Sequence, residues 1–165
     1  MNGSLALIGK STIWAGLYFA GTNYLTYNRG GFTINGTSTS NFGINQFGTI
    51  NANIASGLTL TIKGKSDSDI GFNFGDSTIN LNANSTTNGS LNISGVSISS
   101  VGLALTGTDN VNIALGNMTM FGNSTTGVGS QAKTTWTTFN ANIASGSKLD
   151  LTGTSDSNNG IYTYK

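Results

Sequence analysis

Residues 60–74 read LTIKGKSDSDIGFNF, and residues 149–163 repeat the same pattern as LDLTGTSDSNNGIYT. An almost identical string precedes each stretch, INANIASG at 50–57 and FNANIASG at 139–146, at an offset of 89 residues. The two segments align without a gap, and this agreement exceeds what shared composition would produce. The chain therefore contains a long internal repeat, which is typical of proteins built from stacked structural units.

A shorter unit lies inside the long repeat and occurs six times. Its first and third positions are apolar, its fifth is glycine, its seventh is serine and its twelfth is again glycine in all six copies. Its thirteenth position is apolar in five of the six copies. The six units begin at Leu5, Phe32, Leu60, Leu91, Met118 and Leu149, at spacings of 27 to 31 residues. We expect residues 1–165 to form a single repeat segment, cut from a longer array.

Alternating apolar and polar residues within each unit predict β-strands, and no long window shows helical spacing. The fifth-position glycine predicts a corner, either because a side chain would clash there or because φ is positive. A second alternating segment precedes each later unit; in the third, Ile50, Ala52 and Ile54 should face inward and Asn51 and Asn53 outward. The sequence thus predicts an all-β, single-stranded parallel β-helix of about six coils, with about three short strands per coil.

Composition excludes several kinds of functional site. Of 165 residues, 90 are Gly, Asn, Ser or Thr, and the chain has no Cys and no His. The absence of thiol and imidazole removes the common zinc, haem and nucleophilic sites. The net charge of +1 comes from scattered side chains and leaves no basic stripe for nucleic acid. We predict no catalytic residue, no metal ligand and no cofactor; Asp67, Asp69 and Asp156 are interpreted as turn-capping residues. No membrane span is expected either.

Two further sets of residues are candidates for binding or modification. Trp14 and Trp136 could stack on sugar rings at the rim of the solenoid, although core packing is the favoured interpretation. The tripeptide Asn-x-Ser/Thr occurs repeatedly, as expected by chance in a chain so rich in Ser and Thr. Apart from Asn2, its asparagines are Asn35, Asn84, Asn88, Asn92, Asn117 and Asn123.

The units LTIKGKSDSDIGFNF and LDLTGTSDSNNGIYT, with the intervening INANIASG, resemble the repeats of high-molecular-weight adhesins, which are two-partner-secretion exoproteins of the filamentous-haemagglutinin type. The resemblance covers nearly the whole chain and implies a right-handed parallel β-helix on the surface of a Gram-negative bacterium or secreted from it. It implies export through an outer-membrane transporter that recognises a region missing here. It also implies hexose on the asparagines named above, with Asn35, Asn84, Asn88 and Asn123 favoured because they fall near turns.

These observations together predict a non-catalytic shaft segment of a secreted bacterial adhesin, which projects or contributes to attachment to a host-cell receptor, glycan or matrix. The alternative is a carbohydrate-binding or carbohydrate-processing β-helix, for which Trp14 and Trp136 are the motivation. Because both ends of the solenoid look uncapped, the fragment could also associate end to end through its unpaired strand edges.

Overall fold

The computed structural model describes residues 4–83, 86–132, 138–158 and 160–163. Regular structure in these ranges is entirely β-strand, so none of the described residues belongs to a helix long and apolar enough to cross a bilayer. The strands are β1 (Ser4–Ser11), β2 (Leu17–Phe19), β3 (Thr22–Tyr27), β4 (Gly31–Ser38), β5 (Ile44–Ile54), β6 (Thr59–Ser66), β7 (Phe72–Leu81), β8 (Ser90–Ser97), β9 (Leu103–Thr106), β10 (Thr108–Ile113), β11 (Asn117–Ser124), β12 (Ser130–Ala132), β13 (Thr138–Ile143), β14 (Lys148–Ser155) and β15 (Ile161–Thr163).

The strands form two parallel sheets, which confirms the predicted parallel β-helix. Sheet A has six strands in the order β1-β4-β6-β8-β11-β14, one from each sequence unit. Sheet B has nine strands and contains all the others. The unit glycines and serines pair with one another in every step, as in Gly64 with Gly95 and Ser66 with Ser97. The described strands stack as a solenoid of about five turns.

The prediction of three strands per coil holds for the first, fourth and fifth coils. In the second and third coils, β5 and β7 each run through the corner of sheet B as one long strand. A single residue with positive φ makes that bend, Gly48 at 97° in β5 and Asp76 at 46° in β7. The downstream half of β5 has the predicted alternation, with Ile50, Ala52 and Ile54 buried.

The interior is one continuous apolar stack that runs through all the coils. At the third unit position, Ile34, Ile62, Ile93 and Met120 lie directly above one another and are each at most 1% exposed. One coil could not stand alone, because burying four or five such side chains contributes about 1.5–3 kcal/mol each, whereas ordering some 28 residues costs about 1–2 kcal/mol each. Stacking and hydrogen bonding between neighbouring coils supply the difference.

The fifth-position glycines are required by close backbone contact. A Cβ atom built on Gly95 would lie 1.9 Å from the carbonyl oxygen of Gly102, and one on Gly64 would lie 2.1 Å from that of Gly71. None of the fifth-position glycines has a positive φ. Of the two explanations that the sequence allowed, the steric one is therefore correct: the two sheets approach so closely at this corner that only hydrogen fits.

The seventh-position serine connects successive coils through its hydroxyl group. The Ser66 Oγ accepts a hydrogen bond from the backbone N–H of Asp69 at 2.9 Å. The same hydroxyl donates to the backbone carbonyl of Asn41 in the preceding coil at 2.6 Å. Each hydroxyl thus caps its own turn and ties that turn to its neighbour. The same pair of bonds is made by Ser38, Ser97, Ser124 and Ser155.

We expect Ser66→Ala to lower the free energy of unfolding by about 1–3 kcal/mol, because it leaves the partly buried Asp69 N–H and Asn41 carbonyl without these partners. Urea denaturation followed by circular dichroism would measure the loss. The matched control is Ser68→Ala, since the exposed Ser68 hydroxyl makes a single bond of 2.9 Å to the Thr39 carbonyl. Equal losses for the two variants would contradict this role of the buried serine.

Candidate functional site: an aromatic cleft between the first two coils

Trp14 lies in the turn between β1 and β2, and its side chain is 72% exposed. Its backbone is held on both sides: its N–H donates to Ser11 Oγ at 2.9 Å, and its carbonyl accepts from Ser38 Oγ at 2.7 Å. The favoured interpretation of Trp14 as a core residue is therefore wrong, and the rim position is correct. The repeat turn places this residue on the outer corner, where the core cannot reach it. Trp136 lies outside the described residues.

Trp14 forms one wall of a cleft with a volume of about 380 Å³. The cleft lies between the first and second coils, and Tyr18, which is 61% exposed, projects from the adjacent strand β2. Tyr18 also contacts Phe47 of β5, with ring centroids 6.3 Å apart. The residues that line the cleft are uncharged: Trp14, Ala15, Tyr18, Asn41, Phe42 and Asn45.

Phe42 lines this cleft and also packs against a second, small apolar cluster outside the main core. The cluster consists of Ile70, Val101 and Ala104, with Phe42 and Val128 packed against it. Phe42, Ile70, Val101 and Val128 all occupy the eleventh position of the unit. The sequence reasoning missed this column, although its apolar residues are a signal that could have revealed it. In the first coil the column contains Ala15, whose small side chain leaves room for the cleft.

Two asparagine amides at the cleft have their oxygens already occupied. Asn41 Oδ1 accepts from the Phe42 N–H at 2.7 Å, and Asn45 Oδ1 accepts from Asn73 Nδ2 at 2.9 Å. Within the described residues, neither Asn41 Nδ2 nor Asn45 Nδ2 donates a hydrogen bond. The cleft therefore combines exposed aromatic rings with oriented amide N–H donors, and it has no charged group.

The structure divides the asparagines of the Asn-x-Ser/Thr tripeptides into two groups. Asn88, Asn92 and Asn117 are exposed, whereas Asn35 and Asn123 are half-buried. Contrary to the expectation that they fall near turns, Asn35 and Asn123 lie within strands β4 and β11, because the tripeptide coincides with the outward positions of the unit. The Asn123 Oδ1 also accepts from Thr154 Oγ1 at 3.1 Å. Asn84, like Asn2, lies outside the described residues.

The acidic side chains are dispersed. In the part of the chain that the structure describes, no three of them come together in a group that could hold a metal ion. As predicted, Asp69 caps its turn: its Oδ1 accepts a hydrogen bond at 2.8 Å from the backbone N–H of the next residue, Ile70. Asp67 pairs with Lys65 at 3.5 Å, and both side chains are exposed.

Asp109 differs from the other acids because its side chain points into the solenoid. The residue is 2% exposed; its Oδ1 accepts from the Ser77 N–H at 2.9 Å, and its Oδ2 has no partner in the described residues. Burial raises the pKa of Asp109 to about 7, with a smaller contribution from the negative charge of Asp76. Gln46, also buried, has an unpartnered Oε1. Both occupy inward positions of the strand alternation, Asp109 in phase with Val111 in β10 and Gln46 in phase with Ile44 in β5, a signal that the sequence analysis did not use.

The candidate site is thus a neutral aromatic cleft on a rigid solenoid, separate from a single buried carboxyl group. Comparison of the chain with protein-family models, with curated proteins and with solved structures finds no significant match.

Proposed function

We propose that the chain is a non-catalytic shaft segment of a secreted adhesin on the surface of a Gram-negative bacterium. Its role is to project a binding region toward a host-cell receptor, glycan or matrix, after export through a two-partner-secretion transporter. The proposal rests on the sequence resemblance together with one structural observation. Six units that share the same glycine and serine positions stack in register on one apolar core, so length can be added coil by coil without changing the cross-section.

The hydrogen-bond ladder between the coils supports a mechanical role for the shaft. Every step of sheet A is parallel and in register, and the serine hydroxyls add a second connection at each turn from Ser38 to Ser155. Neighbouring coils are therefore joined by many bonds that must break together. Such a stack suits a spacer that transmits force between an anchor and a binding region.

Labelling of intact cells tests the location that this function requires. Antibodies raised against the purified chain should bind unpermeabilised cells of the native host, and brief protease treatment of those cells should remove the signal. Labelling that needs permeabilisation would contradict the proposal. An antibody to a cytoplasmic protein serves as the control for intact membranes.

The glycosylation that the resemblance implies should follow side-chain exposure. We expect hexose on Asn88, Asn92 and Asn117 before Asn35 and Asn123, because a transferase needs an accessible amide and the last two are half-buried in strands. Intact mass of the protein from its native host, followed by peptide mapping, would measure the occupancy. A mass equal to that of the unmodified chain would contradict the presence of hexose. Preferential modification of Asn35 or Asn123 would contradict the dependence on side-chain exposure.

A further inference from the structure

The cleft beside Trp14 has the chemistry of a ligand site, and the fold does not require its aromatic side chain. Trp14 occupies the tenth position of the unit. The same position in the other coils holds small residues, most of them polar: Asn41, Asp69, Ser100, Gly127 and Asn158.

The turn makes the same backbone bond in the first two coils. The Trp14 N–H donates to Ser11 Oγ at 2.9 Å, just as the Asn41 N–H donates to Ser38 Oγ at 3.1 Å. A small polar side chain is thus sufficient to build this turn. The indole ring of Trp14 is not needed for the turn, and it lies 72% exposed beside Tyr18. Large aromatic groups gathered on a surface mark interaction sites, because their exposure to water is unfavourable.

The lining of the cleft restricts the kind of ligand. Its volume of about 380 Å³ is within the range of small-molecule sites. No lining residue is charged, so an ionic ligand would find no counter-charge. The rings of Trp14 and Tyr18 offer apolar faces, while Asn41 Nδ2 and Asn45 Nδ2 offer donors. A ligand that fits has one apolar face and a rim of hydroxyl oxygens that accept hydrogen bonds.

A neutral pyranose has these properties, since its ring C–H groups form an apolar face and its hydroxyl groups lie around the edge. We infer that the cleft formed by Trp14, Tyr18, Asn41, Phe42 and Asn45 binds an uncharged hexopyranose unit of a glycan. The ring stacks on Trp14, and the two asparagine amides donate to its hydroxyl oxygens. This site is independent of the shaft proposal, because it occupies the side of the solenoid and requires no change in the stacked core.

The test uses the full chain with Trp136→Phe, which leaves Trp14 as the only tryptophan of the two in the sequence. The protein is applied to an array of neutral, sialylated and sulfated glycans. The best neutral oligosaccharide is then titrated while the fluorescence of Trp14 is followed. We expect binding to glycans with an accessible neutral hexopyranose, accompanied by a change in Trp14 emission.

Trp14→Asn in the wild-type chain is the decisive variant, because asparagine is the residue that the second coil uses at this position. It should weaken glycan binding by about tenfold or more while the melting temperature changes by no more than about 2 °C. Tyr24→Ala is the control, since Tyr24 is 75% exposed but lies outside the cleft. This control variant should bind as tightly as the wild-type chain.

Three results would overturn the inference: no glycan bound at millimolar concentration, undiminished binding by Trp14→Asn, or binding confined to sialylated or sulfated glycans. The last result would indicate recognition by a charged surface elsewhere. Each of them leaves the surface-labelling test of the shaft proposal unaffected, so the two proposals fail separately.

Discussion

Replacing Gly95 with alanine is expected to destabilise the protein by about 3 kcal/mol or more, because the added methyl group has no room beside the neighbouring backbone. The new Cβ would lie 1.9 Å from the Gly102 carbonyl oxygen and 2.7 Å from the Phe72 backbone N. The Phe72 N–H donates a hydrogen bond to this Gly102 oxygen at 2.9 Å between neighbouring coils, so neither atom can move without disturbing the backbone bonds at this corner. Urea denaturation and thermal melting followed by circular dichroism would measure the loss.

Gly57→Ala is the matched control for this experiment. Gly57 has a positive φ of 75°, but a Cβ built on it meets nothing within 4 Å. Its substitution should cost about 1–2 kcal/mol from backbone strain alone. If Gly95→Ala cost no more than Gly57→Ala, close approach of the two sheets would not be the reason for the repeated glycine. Failure of Gly95→Ala to fold while Gly57→Ala folds would agree with the prediction.

Asp109→Asn is expected to stabilise the protein at pH 8 by a few kcal/mol. It should also remove the loss of stability that the wild-type chain shows between pH 4 and pH 7 because of this carboxyl group. Burial raises the pKa of the Asp109 carboxyl from 3.8 to about 7. The folded protein therefore retains a proton between pH 4 and pH 7 that the unfolded chain releases. The proton bound to Asp109 thus stabilises the folded protein. This contribution to the free energy of unfolding is fully present below pH 4 and is lost as the pH rises through 7. Asparagine keeps an oxygen for the Ser77 N–H and carries no charge.

Urea denaturation of both proteins at pH 4, 5, 6, 7 and 8 would measure this effect, because the difference between them isolates the Asp109 contribution. The difference should grow with pH up to about 7 and then level off. Asp150→Asn is the control, since Asp150 is an exposed residue paired with Lys148 at 2.9 Å. A pH-independent difference between Asp109→Asn and the wild-type chain would contradict a buried, proton-binding carboxyl group.

Much of the fold could be predicted because the residues that determine it recur at regular positions along the sequence. Glycine and serine at three constant offsets identified the stacked unit, and strand alternation identified the inward residues such as Ile50 and Ile54. The merging of strands within β5 and β7 could not be predicted in this way. It depends on whether Gly48 and Asp76 can bend the chain within one strand, and the β5–β7 ladder accommodates Asp76 as an extra residue between Gly75 and Ser77.

The candidate site was only partly accessible from the sequence. Trp14 was identified as a residue that could stack on a sugar, yet its exposure and its neighbours came from the stacking of two coils. Phe42 and Asn45 belong to the next coil, and no local pattern links them to Trp14. The unpaired carboxyl oxygen of Asp109 was likewise invisible: the alternation of β10 places Asp109 in phase with the inward Val111 and Ile113, but no sequence pattern shows which of its oxygens lacks a hydrogen-bond partner.

The parallel β-helix and its register could be derived from the sequence alone, since each coil rests on a similar coil and any offset that recurs in the unit becomes a vertical column in the stack. The three-dimensional structure was needed to show what the repeated serines bond to in the neighbouring coil, and to reveal two features that differ from coil to coil, the aromatic cleft and the buried acid. The physical reason is that side-chain exposure, hydrogen-bond satisfaction and pKa depend on the neighbouring coils, where residues 24 to 33 positions away along the chain become direct contacts.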